Sequence, residues 1–242
     1  MNLAIDIGNT RVKAAVFEED KLIELFVFDK KIIISQIRKI IKKHPISLGI
    51  MSNVGSVSAK KMAQLKKSFD FMVVSASLKV PFTNLYKTPK TLGVDRIALV
   101  AGAVKQFPNK NVLIIDAGTC ITFDFIDSKA SYLGGAISPG INMRYKALNK
   151  FTANLPLITT LQLDDFIGKN TEESIISGVL NGVQNEINGI IEAYREKYLH
   201  LTVVLTGGDT NFLSKQLKSS IFANQNFVLQ GLNEILKFNQ HK

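Results

Sequence analysis

Hydrophobic and polar positions along the chain alternate between two periods. Residues 2–8 (Asn-Leu-Ala-Ile-Asp-Ile-Gly) are a short apolar run ending at a turn, which predicts a buried strand. Residues 11–18 and 21–28 predict two further strands, broken at Glu19-Asp20. Over 32–43 the apolar positions take helical spacing, and Pro45 follows the end of that segment. A strand over 47–51, a helix over 58–68 with Ser58 as its N-cap, and a strand over 71–75 come next. A helix over 95–107 is stopped by Pro108.

The pattern then restarts. Strands are predicted over 112–116, 121–126 and 131–137, then a helix over 141–150 and a long helix over 171–198. A strand over 202–205, a short helix, a strand near 227–229 and a closing helix complete the chain. Both halves thus open with three strands and continue with alternating helices and strands. Their openings also match: Asp6-Ile7-Gly8-Asn9-Thr10 and Asp116-Ala117-Gly118-Thr119, with the two aspartates 110 residues apart. Such a repeat predicts two similar α/β lobes, 1–108 and 109–242.

Composition narrows the class. The chain has 242 residues, 46% of them hydrophobic and 21% charged, enough for a real core. No apolar run approaches the ~18 residues of a membrane span, and the first residues do not resemble a signal peptide. One cysteine, Cys120, excludes an intrachain disulfide and fits a reducing cytoplasm; it reads as small buried filler. His44, His200 and His241 have no zinc-ligand spacing. The net charge is +10, much of it in lysine-rich helical segments. These read as solvated faces, with attraction of a nucleotide or nucleic acid as the alternative. Aromatics are not interleaved with the lysines, so nucleic acid is disfavoured.

Candidate chemistry lies in the glycine turns. An Asp-x-Gly turn after a buried strand can present backbone N–H groups to a phosphate, and its carboxylate can hold a cation against that phosphate. One such turn is more simply a hairpin with an Asx hydrogen bond. Two at equivalent places in a repeat point to a nucleotide's polyphosphate. Thr206-Gly207-Gly208-Asp209 follows another apolar strand and suits the nucleoside end. The P-loop, dinucleotide and protein-kinase signatures are absent. Asp95 opens a helix, so it reads either as an N-cap or as a carboxylate able to accept the proton of a phosphorylated alcohol. Arg96 reads as a partner of a substrate oxygen or as a surface residue.

Five motifs occur in order: residues 6–10, Gly93-Val94-Asp95-Arg96, residues 116–119, Gly134-Gly135-Ala136-Ile137-Ser138-Pro139-Gly140, and Thr206-Gly207-Gly208. This order resembles the type III pantothenate kinases, within the acetate-and-sugar-kinase, heat-shock-chaperone and actin superfamily. The resemblance implies two ribonuclease-H-like lobes with an active-site cleft between them. It implies ATP-dependent phosphorylation of pantothenate to 4'-phosphopantothenate, the first step toward coenzyme A, in a cytoplasmic homodimer. It also implies a monovalent cation, potassium or ammonium, with Mg²⁺ accompanying the nucleotide near Asp6. By motif, Asp6, Ile7, Gly8, Asn9, Thr10, Arg11, Val12, Lys13 and Thr119 correspond to the ATP segments, Asp116 to the cation ligand and Asp95 to the catalytic base. Tyr86, Gly93, Val94, Asp95, Arg96 and Thr171 correspond to the pantothenate positions. The alternatives are another small-molecule kinase of the superfamily and a non-catalytic regulator or DNA-associated factor on the same scaffold. The short chain argues against the first, and the intact Asp95 against the second.

Overall fold

The computed structural model describes residues 1–8, 11–53, 57–75, 77–162, 165–217 and 220–240. The chain divides into two compact units. One comprises Met1–Asn109, Lys129–Leu133 and Asn226–Lys242, the other Lys110–Ser128 and Gly134–Gln225.

The first unit is built on a five-stranded sheet of order β3-β2-β1-β4-β5. Its strands are β1 (Asn2–Ile7), β2 (Val12–Glu18), β3 (Lys21–Phe28), β4 (Leu48–Asn53) and β5 (Phe71–Val73). β1 pairs antiparallel with β2 and parallel with β4. The parallel pairing needs a crossover, supplied by a short 3₁₀ turn and helix α1 (Ile33–Lys43). Ile33, Ile37 and Ile40 of α1 are buried at helical spacing against Leu3, Ile5, Ile7, Val12, Ala14 and Val16. The remaining face of α1, with Lys39, Lys42 and Lys43, is solvated. Helix α2 (Ala59–Lys66) begins at Ser58, whose hydroxyl accepts from Lys61 N.

Helix α3 (Val94–Gln106) is buried continuously from Arg96 to Ala103, because it is covered by the closing helix α7 (Phe227–Gln240), which also packs on β1 and β4. The two helices approach through glycines. A side chain at Gly231 would run into the carbonyl of Ala98, and one at Gly102 would meet the backbone of Gly231.

The second unit repeats the winding. β7 (Val112–Ala117) pairs antiparallel with β8 (Cys120–Ile126) and parallel with β10 (Thr202–Thr206). β9 (Ser131–Pro139) flanks β8, and β11 (Phe222–Ala223) flanks β10. Within the first unit, a two-residue strand β6 (Thr83–Asn84) pairs in parallel with Ser131 and Tyr132 at the start of β9. Helices α4 (Ile141–Phe151), α5 (Thr171–Lys197) and α6 (Thr210–Gln216) complete the second unit.

α5 opens with a side-chain cap at Asn170 and a second bond from the residue before it. Asn170 Oδ1 accepts from Glu173 N at 2.9 Å, and Glu173 Oε2 accepts from Lys169 N at 2.7 Å. Acidic residues occupy its first turn and Arg195 and Lys197 its last, matching the helix dipole. Among the described residues no helix is long and apolar enough to cross a membrane.

One sequence expectation changes. The strand expected near 227–229 is the first turn of α7; the last strand is β11, five residues earlier. Phe227, Val228, Leu229, Leu232, Ile235 and Leu236 are buried together, as a helix covered along one side requires, and a three-residue apolar run cannot show that. The apolar positions of α5 cover more than one narrow stripe, for a reason internal to the unit. Ile175, Val179, Val183, Ile187 and Ile191 are buried in its own core, and Ile176 and Ile190 pack against the same core.

Candidate active site

Parallel pairing brings the carboxyl ends of β1 and β4 to one edge. In register, Asp6 stands beside Ser52 on one side and Lys13 of β2 on the other. Ser52 is fully buried, and its hydroxyl donates to Asp6 Oδ1 at 2.5 Å. Loss of hydration pushes the Asp6 carboxyl above its ordinary range. The Ser52 hydrogen bond opposes this, the negative charge of Asp95 adds to it, and Lys13 opposes it. The Asp95 contribution puts Asp6 and Asp95 within each other's field, although 89 positions separate them in sequence.

Past Asp6, Gly8 N donates to Arg11 O at 3.2 Å. Ile7 and Val12 are buried in the sheet and Arg11 is exposed. Asn9 and Thr10, expected in the nucleotide segment, lie outside the described residues.

Asp95 is the second residue of α3 and is not its N-cap. Gly93 occupies the cap position, without a side-chain hydrogen bond. The Asp95 carboxylate folds back, and Oδ1 accepts from Arg96 N at 2.9 Å. A side chain at Gly93 would collide with that oxygen, so the glycine leaves the carboxylate its space. Arg96 is only 5% exposed, and its guanidinium lies 5.6 Å from the ring centroid of Tyr86. Tyr86, Gly93, Val94, Asp95 and Arg96 therefore converge in the first unit, along with Asp6 and Lys13.

In the second unit the same register recurs. Asp116 stands beside Thr122 of β8 and Thr206 of β10. The following loop is held by Gly118 N donating to Cys120 O at 2.9 Å and by Gly140 N donating to Thr119 O at 3.2 Å. A side chain at Gly140 would strike the carbonyls of Gly118 and Thr119. Gly207 has φ +99° and packs so closely on Asp116 and Ala117 that a side chain would overlap both. Asp209 N donates to Ala117 O at 3.0 Å, and burial pushes the Asp209 carboxyl up. Thr119 is exposed on the loop, and Thr171 is exposed as the first residue of α5.

Motif reading missed Ser52 and Tyr132. Ser52 sits in a strand with no glycine signature, and only its register opposite Asp6 singles it out. Tyr132, stacked on Tyr86 with centroids 6.1 Å apart, lies just before the Gly134–Gly140 motif and outside it.

Comparison with known proteins agrees with this geometry. Residues 2–193 match the sequence profile described as type III pantothenate kinase. A type III pantothenate kinase of Christiangramia forsetii is 52% identical over 99% of both chains. One of Flavobacterium johnsoniae is 47% identical over 98% of both. Among solved structures, a putative 2-dehydro-3-deoxygalactonokinase from Sinorhizobium meliloti aligns over 100% of both chains, with TM-score 0.63 and 12% identity. That likeness bears on the fold alone, the actin-like sugar-kinase architecture with two sheet-containing lobes.

The raised Asp6 carboxyl has a consequence for stability. A carboxyl whose folded-state pKa exceeds the unfolded value of 3.8 binds its proton more tightly when folded. Its contribution is then full at low pH and is lost as pH rises through the folded-state pKa. Asp6→Asn, which keeps an acceptor for Ser52, should unfold at higher denaturant concentration than the parent at pH 7. That difference should shrink as pH falls toward 4. Denaturation midpoints across a pH series measure it, and a variant less stable than the parent at pH 7 would contradict this account.

Proposed function

This chain belongs to the type III pantothenate kinase family, and on that premise we propose which of its residues carry the reaction. The protein phosphorylates pantothenate with ATP, in coenzyme A synthesis. One observation carries the assignment of residues: Asp6, at the end of a buried strand, lies within the field of Asp95, which stands beside Arg96 and Tyr86. One carboxylate then serves the nucleotide side of the reaction and the other the acceptor alcohol.

In this reading the end of β1 at Asp6–Gly8 and the start of β2 at Arg11–Lys13 receive the phosphates of ATP, with Lys13 as a balancing cation. Asp95 accepts the proton of the pantothenate hydroxyl as its oxygen attacks the terminal phosphorus. The bond from that phosphorus to the bridging oxygen breaks, and ADP leaves. Phosphoryl transfer demands mainly positioning and neutralisation of charge. The half-buried Asp6 carboxylate beside a glycine turn suits Mg²⁺, which takes oxygen ligands and leans on the nucleotide for the rest. When bound, the ion neutralises phosphate charge; the chain's own part is to keep Asp6 oriented through Ser52.

In the second unit, Asp116 is the ligand for potassium or ammonium. Gly207 has no side chain where the Asp116 carboxylate and the Ala117 carbonyl lie, so backbone packs closely beside that carboxylate, an oxygen ligand of the kind such a cation takes. Thr119 offers a hydroxyl to the nucleotide and Thr171 one to pantothenate. The single cysteine is in keeping with a reducing cytoplasm.

A homodimer is proposed from the resemblance, supported by the exposed Phe151, Phe166 and Ile167 of the second unit. Sedimentation velocity at micromolar concentration should return twice the chain mass, and a single-chain mass would remove the proposal.

Asp95→Asn should lower turnover at saturating substrates by roughly 10²–10⁴ while nucleotide affinity and melting temperature stay near the parent's. Near-normal turnover would refute the base assignment. Asp116→Asn should raise the potassium or ammonium concentration needed for half-maximal rate by roughly tenfold or more, about 1.4 kcal/mol for each factor of ten. An unchanged cation dependence would show that Asp116 is not the ligand.

A further inference from the structure

Tyr86 occupies a segment with little structure of its own. It follows β6, which has two residues, and precedes a 3₁₀ turn. A strand this short cannot hold a side chain in place, yet the Tyr86 ring is engaged by two neighbours. One is the Arg96 guanidinium, 5.6 Å from its centroid. The second is Tyr132, centroid 6.1 Å away, with the planes only 24° apart. Tyr132 is fully buried, and Phe82 meets it edge-on at 6.1 Å and 71°. Phe82, Tyr132, Tyr86 and Arg96 thus form one chain of contacts inside the first unit: edge-on, stacked and cation over ring.

The backbone is tied to the same point. Thr83 N donates to Ala130 O at 2.9 Å, Leu85 N to Tyr132 O at 3.0 Å, and Tyr86 N to Asn84 Oδ1 at 3.0 Å. Tyr132 therefore anchors the Tyr86 segment twice, through its carbonyl and through its ring. Offset stacking and a cation over an aromatic face both restrict where a partner can sit. Arg96 is a mostly buried cation on a rigid helix, and its planar donors suit an anionic, oxygen-rich substrate.

We propose that Tyr132 is a positioning residue for pantothenate: without touching the substrate, it fixes the Tyr86 ring, and through that ring the Arg96 guanidinium, in the orientation that binds it. This rests on the reading that Tyr86 and Arg96 hold pantothenate. Freed from Tyr132, the segment must be ordered by the substrate, which weakens binding of pantothenate and leaves ATP binding and the chemical step alone.

The test is steady-state kinetics of the full chain, varying pantothenate at saturating ATP and the reverse, with melting curves alongside. Tyr132→Leu, which removes the ring, should raise KM for pantothenate roughly 3- to 10-fold, the range expected for one lost aromatic stack. KM for ATP and kcat should stay within about twofold. Tyr132→Phe, which restores the ring, should recover most of the lost affinity. Should Tyr132→Leu not fold, Phe82→Leu decides: a selective rise in KM for pantothenate supports the proposal, and no change overturns it. A Tyr132→Leu enzyme with a lower melting temperature but parental KM for pantothenate overturns it as well. Tyr86→Leu separates the two readings. If it raises KM for pantothenate while Tyr132→Leu does not, the substrate reading stands and the positioning role falls. If Tyr86→Leu changes nothing, the substrate reading itself falls.

Discussion

Parallel pairing through a helical crossover governs the arrangement of both units. β1 cannot lie parallel to β4 unless the chain travels back along one face, and α1 makes that return. The carboxyl ends of the two strands then share an edge, and backbone pairing sets which side chains stand abreast. This is why Ser52 can hydrogen-bond Asp6, and why Thr206 stands in the equivalent place beside Asp116. Each carboxylate is thereby carried on a rigid strand whose other residues are core.

That placement has an electrostatic cost. Asp6 loses hydration at the strand end and feels the charge of Asp95, so it resists ionisation. A fold selected for stability alone has no reason to bring the two together. In the proposed assignment that reason is phosphoryl transfer, with Asp6 on the nucleotide side and Asp95 at the acceptor hydroxyl. Ser52 and Lys13 partly offset the cost. Gly93 contributes by leaving the Asp95 carboxylate its space, and Gly207 and Gly140 do the same for backbone around Asp116 and Thr119. A methyl group at Gly140 or Gly207 would displace backbone, and one at Gly93 would push the Asp95 carboxylate aside.

Legibility of the site followed the range of the interaction involved. The Asp-x-Gly turns and the Gly93–Arg96 stretch are local: strand, turn and helix start follow one another in sequence, and the residue types at each step have a backbone reason. The role of Asp95 at the helix start was open from sequence between cap and base. Structure removes the cap reading in its simple form, since Gly93 holds the cap position. Ser52 and Tyr132 carry no local signal. One is defined by strand register across an intervening helix, the other by a stack between segments 46 residues apart.

By itself the amino-acid sequence determined most strands and helices, the repeat that winds two sheets alike, and the residues of the glycine turns, because periodicity and turn chemistry act over a few residues. Tertiary structure decided three further matters. It made residues 227–229 helical, since α7 packs glycine-to-glycine on α3 and covers one face of the first sheet. It created β6, a strand too short to have a period, which exists only because Ser131 and Tyr132 offer it an edge. And it drew Asp6, Ser52, Asp95, Arg96, Tyr86 and Tyr132 into one unit, which depends on long-range pairing and burial that no window along the chain contains.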